Sequence, residues 1–479
     1  MTFPYPTSAF IAGAWQDAAK TFPVTNPATG AVIAEVADLG PAETEAAIRA
    51  AEAAFPAWSA KLAKERGAIV RRWGELLLQH TEELAQLITA EGGKPLAEAR
   101  GEVAYAASFC EWFAEEAKRA YGRTIPTTMA HRRYVTIKQP IGVAAAITPW
   151  NFPLGMVTRK AAPALAAGCT LILKPAEATP LTALFAAKLA EEAGLPPGVL
   201  NVVTSNDAAA IGKVLCESPI VRKLSFTGST RVGKILAAQC AGTVKRLSLE
   251  LGGNAPFIVF EDADLDKAAA AIVSGKFRNA GQVCVATNRI LVHAKVHDAL
   301  AQKLASGVSG LKVGDGADDG VQVGPLIQKA AVERVDRLVK AALASGATAL
   351  TGAARSPVGD QFYTPTVLSG VTPEMDIAQQ EIFGPVATLI PFSTDDEAVR
   401  IANATPYGLA AYFFTNDIAR AWRVAERLEY GMVSVNEGVM SNEVTPFGGM
   451  KESGIGREGA AEGLDEFLEV KFINFGGMT

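Results

Sequence analysis

Beyond about residue 132 the chain alternates short β-rich runs with helical stretches, and few architectures accept that pattern. Strands are expected at 134–138, 142–148, 170–173, 200–203, 223–226 and 246–249, with helices at 181–193, 208–216 and 231–240. Apolar strands separated by helices imply a parallel sheet covered on both faces. A second series restarts near residue 250: strand 255–260, helix 265–279, strand 289–292, helices 297–306 and 330–345, and strands near 387–391 and 432–435. Upstream, residues 41–120 read as helical, with apolar residues at helical spacing over 43–55 and 64–89. The fold class is therefore α/β, and 479 residues imply two or three domains.

A net charge of −5 leaves no broad basic field, so a nucleic-acid partner is not expected. No apolar run approaches the roughly 20 residues a bilayer needs, and the first 20 residues lack a basic segment followed by an apolar one. No membrane association and a cytoplasmic location are expected. The five cysteines (Cys110, Cys169, Cys216, Cys240 and Cys284) are odd in number and contain no CxxC, which argues against a disulfide framework or a zinc site. The four histidines, His80, His131, His293 and His297, offer no metal pair and are expected at the surface.

Cys284 lies in FRNAGQVCVATNR, a polar Gly-containing segment between a helix and a strand, where loops present reactive groups. On its own surroundings, catalysis and a structural role are equally open. Glu250 ends an apolar strand in LSLELGGN, where burial would raise its pKa toward that of a general base; a solvated strand end fits equally well. TPWNFP (148–153) makes a stiff turn after a strand, and its Asn151 amide is a donor or an ordinary turn residue. KPAE (174–177) follows the next strand and could meet a ribose, or be a solvated charge pair. FTGSTRVG (226–233) opens a helix after a strand, a weak phosphate signal without G-x-G-x-x-G. The glycine-rich QEIFGP (380–385) and PFGGMKESGIGREG (446–459) are further loops.

Taken together, PWNFP, KPAE, FTGS, ELGG, GQVC, EIFGP and PFGG, in this order and with 34 residues from Glu250 to Cys284, resemble the aldehyde dehydrogenase superfamily over essentially the whole chain. The resemblance implies a Rossmann-type cofactor-binding domain (1–121 and 141–251), an α/β catalytic domain (252–452) and a small β oligomerisation arm (122–140 and 453–479), assembled as a homodimer or homotetramer. It implies Cys284 as nucleophile, Asn151 with the Cys284 backbone N–H as oxyanion hole, and Glu250 as activator of water. NAD or NADP would be the cofactor. Thr148, Pro149, Trp150, Lys174, Ala176, Glu177, Gly228, Ser229, Leu251, Glu381 and Phe383 would contact it. A carboxylate at Glu177 would repel a 2′-phosphate, which favours NAD.

Arg159, Arg278 and Ser441 carry a finer resemblance, to succinate-semialdehyde dehydrogenases, where the matching positions hold the substrate's distal carboxylate. Two guanidiniums and a hydroxyl suit that task; the alternative is that the arginines are structural ion-pair residues. An ω-carboxylate semialdehyde is thus the implied substrate, succinate semialdehyde first, with glutarate semialdehyde, 2-oxoglutarate semialdehyde and a broad aldehyde range as alternatives. Glu250 argues against an enzyme passing its thioester to coenzyme A. Ala286 stands where many relatives have a second cysteine, so no vicinal disulfide at Cys284 is expected.

Overall fold

The computed structural model describes residues 5–478. Residues 1–4 and 479, at the outer ends of the expected segments 1–121 and 453–479, lie outside the described residues, as does the start of the segment read for a leader.

Five parallel strands form the centre of the first sheet: β1 (Val143–Ile147), β2 (Thr170–Lys174), β3 (Leu200–Val202), β4 (Val221–Thr227) and β5 (Arg246–Glu250). Their spatial order is β5-β4-β1-β2-β3. The order reverses between β1 and β4, and such a switch point leaves a crevice at the strands' carboxyl ends. Registers Ile147↔Lys174, Phe226↔Ile147 and Thr227↔Glu250 bring those ends level. Short strands Ala9–Ile11 and Ala14–Gln16 extend one edge antiparallel, and Gly454–Ile455 extends the other.

The second sheet has seven strands and begins with β6 (Ala255–Val259) and β7 (Thr287–His293), which pair in parallel. β6 through Phe260 and the Ile290–Val292 stretch of β7 are buried apolar sequence, as sheets covered on both faces require. A three-stranded antiparallel sheet pairs Leu468–Phe475 with Arg133–Pro140 and Arg123–Ile125. Of the segment 453–478, only Leu468–Phe475 belongs to it; Gly454–Ile455 joins the first sheet, and the helix Ala460–Asp465 packs on two helices, α1 (Leu96–Glu116) and α2 (Gly155–Ala167). Two further helices matter below, α3 (Thr230–Cys240) and α4 (Leu265–Phe277). Among the described residues, no helix is long and apolar enough to cross a membrane.

Three expectations need correction. The helix read over 64–89 is two, Ala63–Gln79 and Thr81–Gly92, because His80 leaves helical geometry at φ −102°, ψ 28°. The helix read over 265–279 stops at Phe277, and Asn279 and Ala280 turn left-handed. His293 is not at the surface: it is buried, edge-on to Phe392, with Nε2 at 3.1 Å from Ser393 O. It ends a strand whose both faces are covered, so its ring is enclosed with the rest.

Candidate active site

The turn after β1 is held from behind. Thr148 N–H donates to Lys174 O (3.1 Å), tying the ends of β1 and β2. Asn151 O accepts from Lys94 Nζ (2.9 Å) and Asn279 Nδ2 (3.1 Å). Buried Lys94 is paired with Glu102, whose other oxygen accepts from the N–H groups of Leu154 (2.9 Å) and Gly155 (3.1 Å). A carboxylate there satisfies open donors at the start of α2 and favours the helix dipole. Asn151 Nδ2 donates to Gln282 O at 2.9 Å. An amide nitrogen carries two hydrogens, so one remains for a ligand.

The segment leading to Cys284 is sharply bent. Asn279 (φ 47°), Ala280 (φ 54°) and Gly281 (φ 75°) are successive left-handed residues. For the two non-glycines this costs roughly 1–2 kcal/mol each. Compensating bonds surround them: Asn279 N–H donates to Glu98 Oε2 (2.8 Å), and Gln282 Nε2 donates to Asn279 O (3.1 Å) and Pro325 O (3.3 Å). Gln282 Oε1 also accepts from Ile327 N–H (2.9 Å). Cys284 is thereby presented on a fixed loop, partly exposed, whereas the other four cysteines are buried. Behind it, a Cβ on Gly253 would stand 2.4 Å from Cys284 O. Only glycine lets the end of β5 approach the cysteine so closely.

Two cavities share Cys284 in their walls. One, of about 300 Å³, is bounded by Tyr105, Phe152, Arg159, Arg278, Ser441 and Phe447. The other, of about 330 Å³, is bounded by Trp150, Asn151, Ser229, Glu250, Glu381 and Phe383. A wider, more open depression of about 930 Å³ lies beyond Arg278 and Glu98 and holds no cysteine.

Burial pushes the Cys284 thiol up to about 12, Glu381 and Glu250 add to the rise, and Arg159 and Arg278 oppose it. Glu250 is 3% exposed, and among the described residues neither of its oxygens has a hydrogen-bond partner. Burial, then the charge of Glu458, hold its carboxyl well above the ordinary range, against Arg159, Lys160 and Arg457. Glu458, itself buried, is held below the ordinary range by the cations beside it: it pairs with Lys160 and lies 2.8 Å from Arg159 Nε. Arg278 makes no ion pair or side-chain hydrogen bond among the described residues, and its Nε is buried without a partner.

The 330 Å³ cavity holds several groups that could meet part of a dinucleotide. Ser229 caps α3 by accepting from Val232 N–H (3.4 Å), and the helix N-terminus opens beside Gly228 and Ser229. Thr227 Oγ1, in the same wall, is buried without a partner. Leu251 and Pro149 add apolar wall, and Trp150 stands edge-on to Phe383 with ring centroids 5.6 Å apart. Glu381 Oε1 accepts from Gly253 N–H (3.1 Å), and burial brings its carboxyl up to about 7. Thr148, Lys174, Ala176 and Glu177 do not line this cavity; they stand on the adjoining ends of β1 and β2. Lys174 Nζ is buried, 3.0 Å from Pro175 O and 3.5 Å from the exposed Glu177 carboxylate.

Local motifs missed the groups behind the site: Glu458, Lys160, the Lys94–Glu102 pair, Tyr105, and Arg334, which donates to the carbonyls of Glu381 and Ile382. Glu458 was visible only as a carboxylate inside the glycine-rich PFGGMKESGIGREG, and Lys160 only as the neighbour of Arg159.

A family model described as the aldehyde dehydrogenase family matches residues 15–473. A mitochondrial succinate-semialdehyde dehydrogenase of Arabidopsis thaliana is 56% identical, over 99% of this chain and 90% of that protein. A 3-sulfolactaldehyde dehydrogenase of Pseudomonas putida is 54% identical, over 98% of this chain and 97% of that protein. A solved succinate-semialdehyde dehydrogenase from Burkholderia pseudomallei superposes with a TM-score of 0.98 at 56% identity, covering 99% of each chain.

Proposed function

Since the chain belongs to the aldehyde dehydrogenase family and is an NAD(P)-using oxidoreductase, we propose that it oxidises an aldehyde bearing a distal carboxylate, succinate semialdehyde first, to the acid. One observation carries this reading. Cys284 lies in the walls of two adjoining cavities, one holding Trp150, Ser229, Glu381 and Phe383 and the other Arg278 and Ser441, with Arg159 in the wall of both. The two relatives at 56% and 54% identity are named for aldehydes that carry an anionic group.

In this mechanism the Cys284 thiolate adds to the aldehyde carbon. The Asn151 hydrogen not given to Gln282, together with the Cys284 backbone N–H, stabilises the resulting oxyanion; one such donor is worth about 3 kcal/mol. A bound nicotinamide supplies the acceptor for the hydride that leaves this carbon. The product is a thioester on Cys284. Glu250 takes a proton from water, which attacks the thioester and releases the acid. Its two bare oxygens suit that water, because buried carboxylate oxygens without partners are otherwise rare. Arg278, which has no ion pair or side-chain hydrogen bond among the described residues, receives the distal carboxylate beside Ser441, and Arg159 lines the same cavity.

NAD is the preferred dinucleotide in this reading, because Glu177 stands by Lys174 where a 2′-phosphate would meet a carboxylate. The chain assembles as a homodimer or homotetramer through the three-stranded sheet. Its edge strand Leu468–Phe475 exposes Val470, Phe472 and Phe475, a surface that a partner would cover. The test is a panel of semialdehydes of graded length and the uncharged butanal, each with NAD and NADP. Succinate semialdehyde with NAD should have the highest kcat/KM; equal values for it and butanal would refute the substrate reading.

A further inference from the structure

Glu458 is the group behind Arg159, and its setting is unusual. Its backbone pairs with that of Phe447 in both directions: Phe447 N–H donates to Glu458 O (2.7 Å), and Glu458 N–H to Phe447 O (2.8 Å). This two-residue unit meets the Arg159 guanidinium from two sides. The Phe447 ring lies under it, with Cζ 3.7 Å from the ring centroid, and Glu458 Oε2 stands 2.8 Å from Nε. The second contact is one of charge rather than an aligned hydrogen bond, since neither Nε nor Oε2 has a hydrogen-bond partner. Arg159 NH1 donates to Tyr105 OH (3.4 Å), while NH2 is buried with no hydrogen-bond partner among the described residues.

Two cations meet at one carboxylate here. Arg159 and Lys160, consecutive on α2 and both buried, share one carboxylate, that of Glu458. Ser225 Oγ adds only a neutral partner to Lys160, at 3.0 Å. Two buried cations thus meet at a single carboxylate, and a second anion would be favoured beside them.

We infer that Glu458 is a positioning residue for substrate recognition: with Phe447 it fixes Arg159 so that the guanidinium's unpartnered edge is offered to the distal carboxylate. The inference rests on the carboxylate reading above and adds to it the reason the arginine is preorganised. A freely rotating arginine would have to be ordered at binding; this one is already clamped on a face and an edge.

The experiment compares wild type with Lys160→Met/Glu458→Gln, which removes one cation and one anion together and leaves the buried net charge unchanged. Glu458→Asp, which keeps the charge but shortens the reach, is a second variant should the first fail to fold. Each is assayed at saturating dinucleotide with succinate semialdehyde and with butanal. The kcat/KM ratio of semialdehyde to butanal should fall about tenfold in the double variant and less in Glu458→Asp, with the loss carried by KM. A ratio equal to wild type, with kcat reduced for both aldehydes and a shifted pH profile, would overturn the inference and assign Glu458 to the proton of Glu250. If wild type itself shows no preference for the semialdehyde, the carboxylate reading fails and this inference fails with it.

Discussion

Replacing Arg278 by Met separates recognition from architecture, because inside the protein Arg278 gives up only a charge effect on Glu98 and Cys284. It makes no ion pair or side-chain hydrogen bond among the described residues, so no partner is stranded by the change, and Met keeps much of its apolar stem. What disappears is a charged donor toward the substrate. Hydrogen bonds to charged groups contribute about 1.5–3 kcal/mol, and about 2 kcal/mol is roughly 30-fold in kcat/KM. The guanidinium also helps to lower the Cys284 thiol, behind the larger effect of Arg159, so a smaller loss should reach every aldehyde. Steady-state kinetics with succinate semialdehyde and butanal should therefore give a roughly 30-fold fall for the first and a distinctly smaller one for the second, with an unchanged melting temperature. Arg159→Met should differ, because it removes a buried charge contact with Glu458 and so lowers the melting temperature as well. Equal losses for both aldehydes in Arg278→Met would show that Arg278 serves the thiol or the loop, and would refute its role in holding a carboxylate.

Three further outcomes follow from the geometry. A Cβ at Gly448 would stand 2.9 Å from Glu250 Oε1 and 2.7 Å from Gly456 O, so Gly448→Ala should displace the base. Its kcat should fall tenfold or more while a stoichiometric burst of reduced dinucleotide persists, and an unaltered kcat would count against Glu250 acting on the thioester. With the Cys284 thiol at about 12, iodoacetamide alkylation of the dinucleotide-free protein should speed up about tenfold per pH unit from 7 to 10; a plateau below pH 8 would contradict this. Burial brings the Lys276 ammonium down to about 7, whereas an unfolded lysine stays protonated to about 10.4. Between those values the unfolded chain holds more protons, so this group makes stability rise with pH. The stability advantage of Lys276→Met over wild type should thus be largest near pH 6 and shrink toward pH 9 in thermal melts, and a constant difference would refute it.

The parts of the site that were legible in the sequence sit at the carboxyl ends of parallel strands, where local chemistry is forced. A chain leaving β1 or β5 must turn at once, and TPWNFP and ELGG show that turn in their prolines and glycines. Periodicity likewise gave both α/β series, since alternating buried strands and helices have few other readings. What stayed hidden is set by topology instead. The left-handed run at Asn279 and Ala280 looks like two more helical residues until Glu98, 181 residues away, is seen to hold the Asn279 N–H. The strand Thr21–Thr25 alternates exposed and buried residues as strands do, but it is five residues long and interrupted by Pro23, too slight a pattern to read alone. Glu458 is the sharpest instance. Nothing near it in sequence says that it faces Arg159 and Lys160, nearly 300 residues earlier; the contacts that give it meaning exist only once Gly454–Ile455 docks on β5 and carries the following residues over α2. A motif names the groups that react because their spacing is local. The groups that orient them are recruited by the fold from wherever the chain happens to pass.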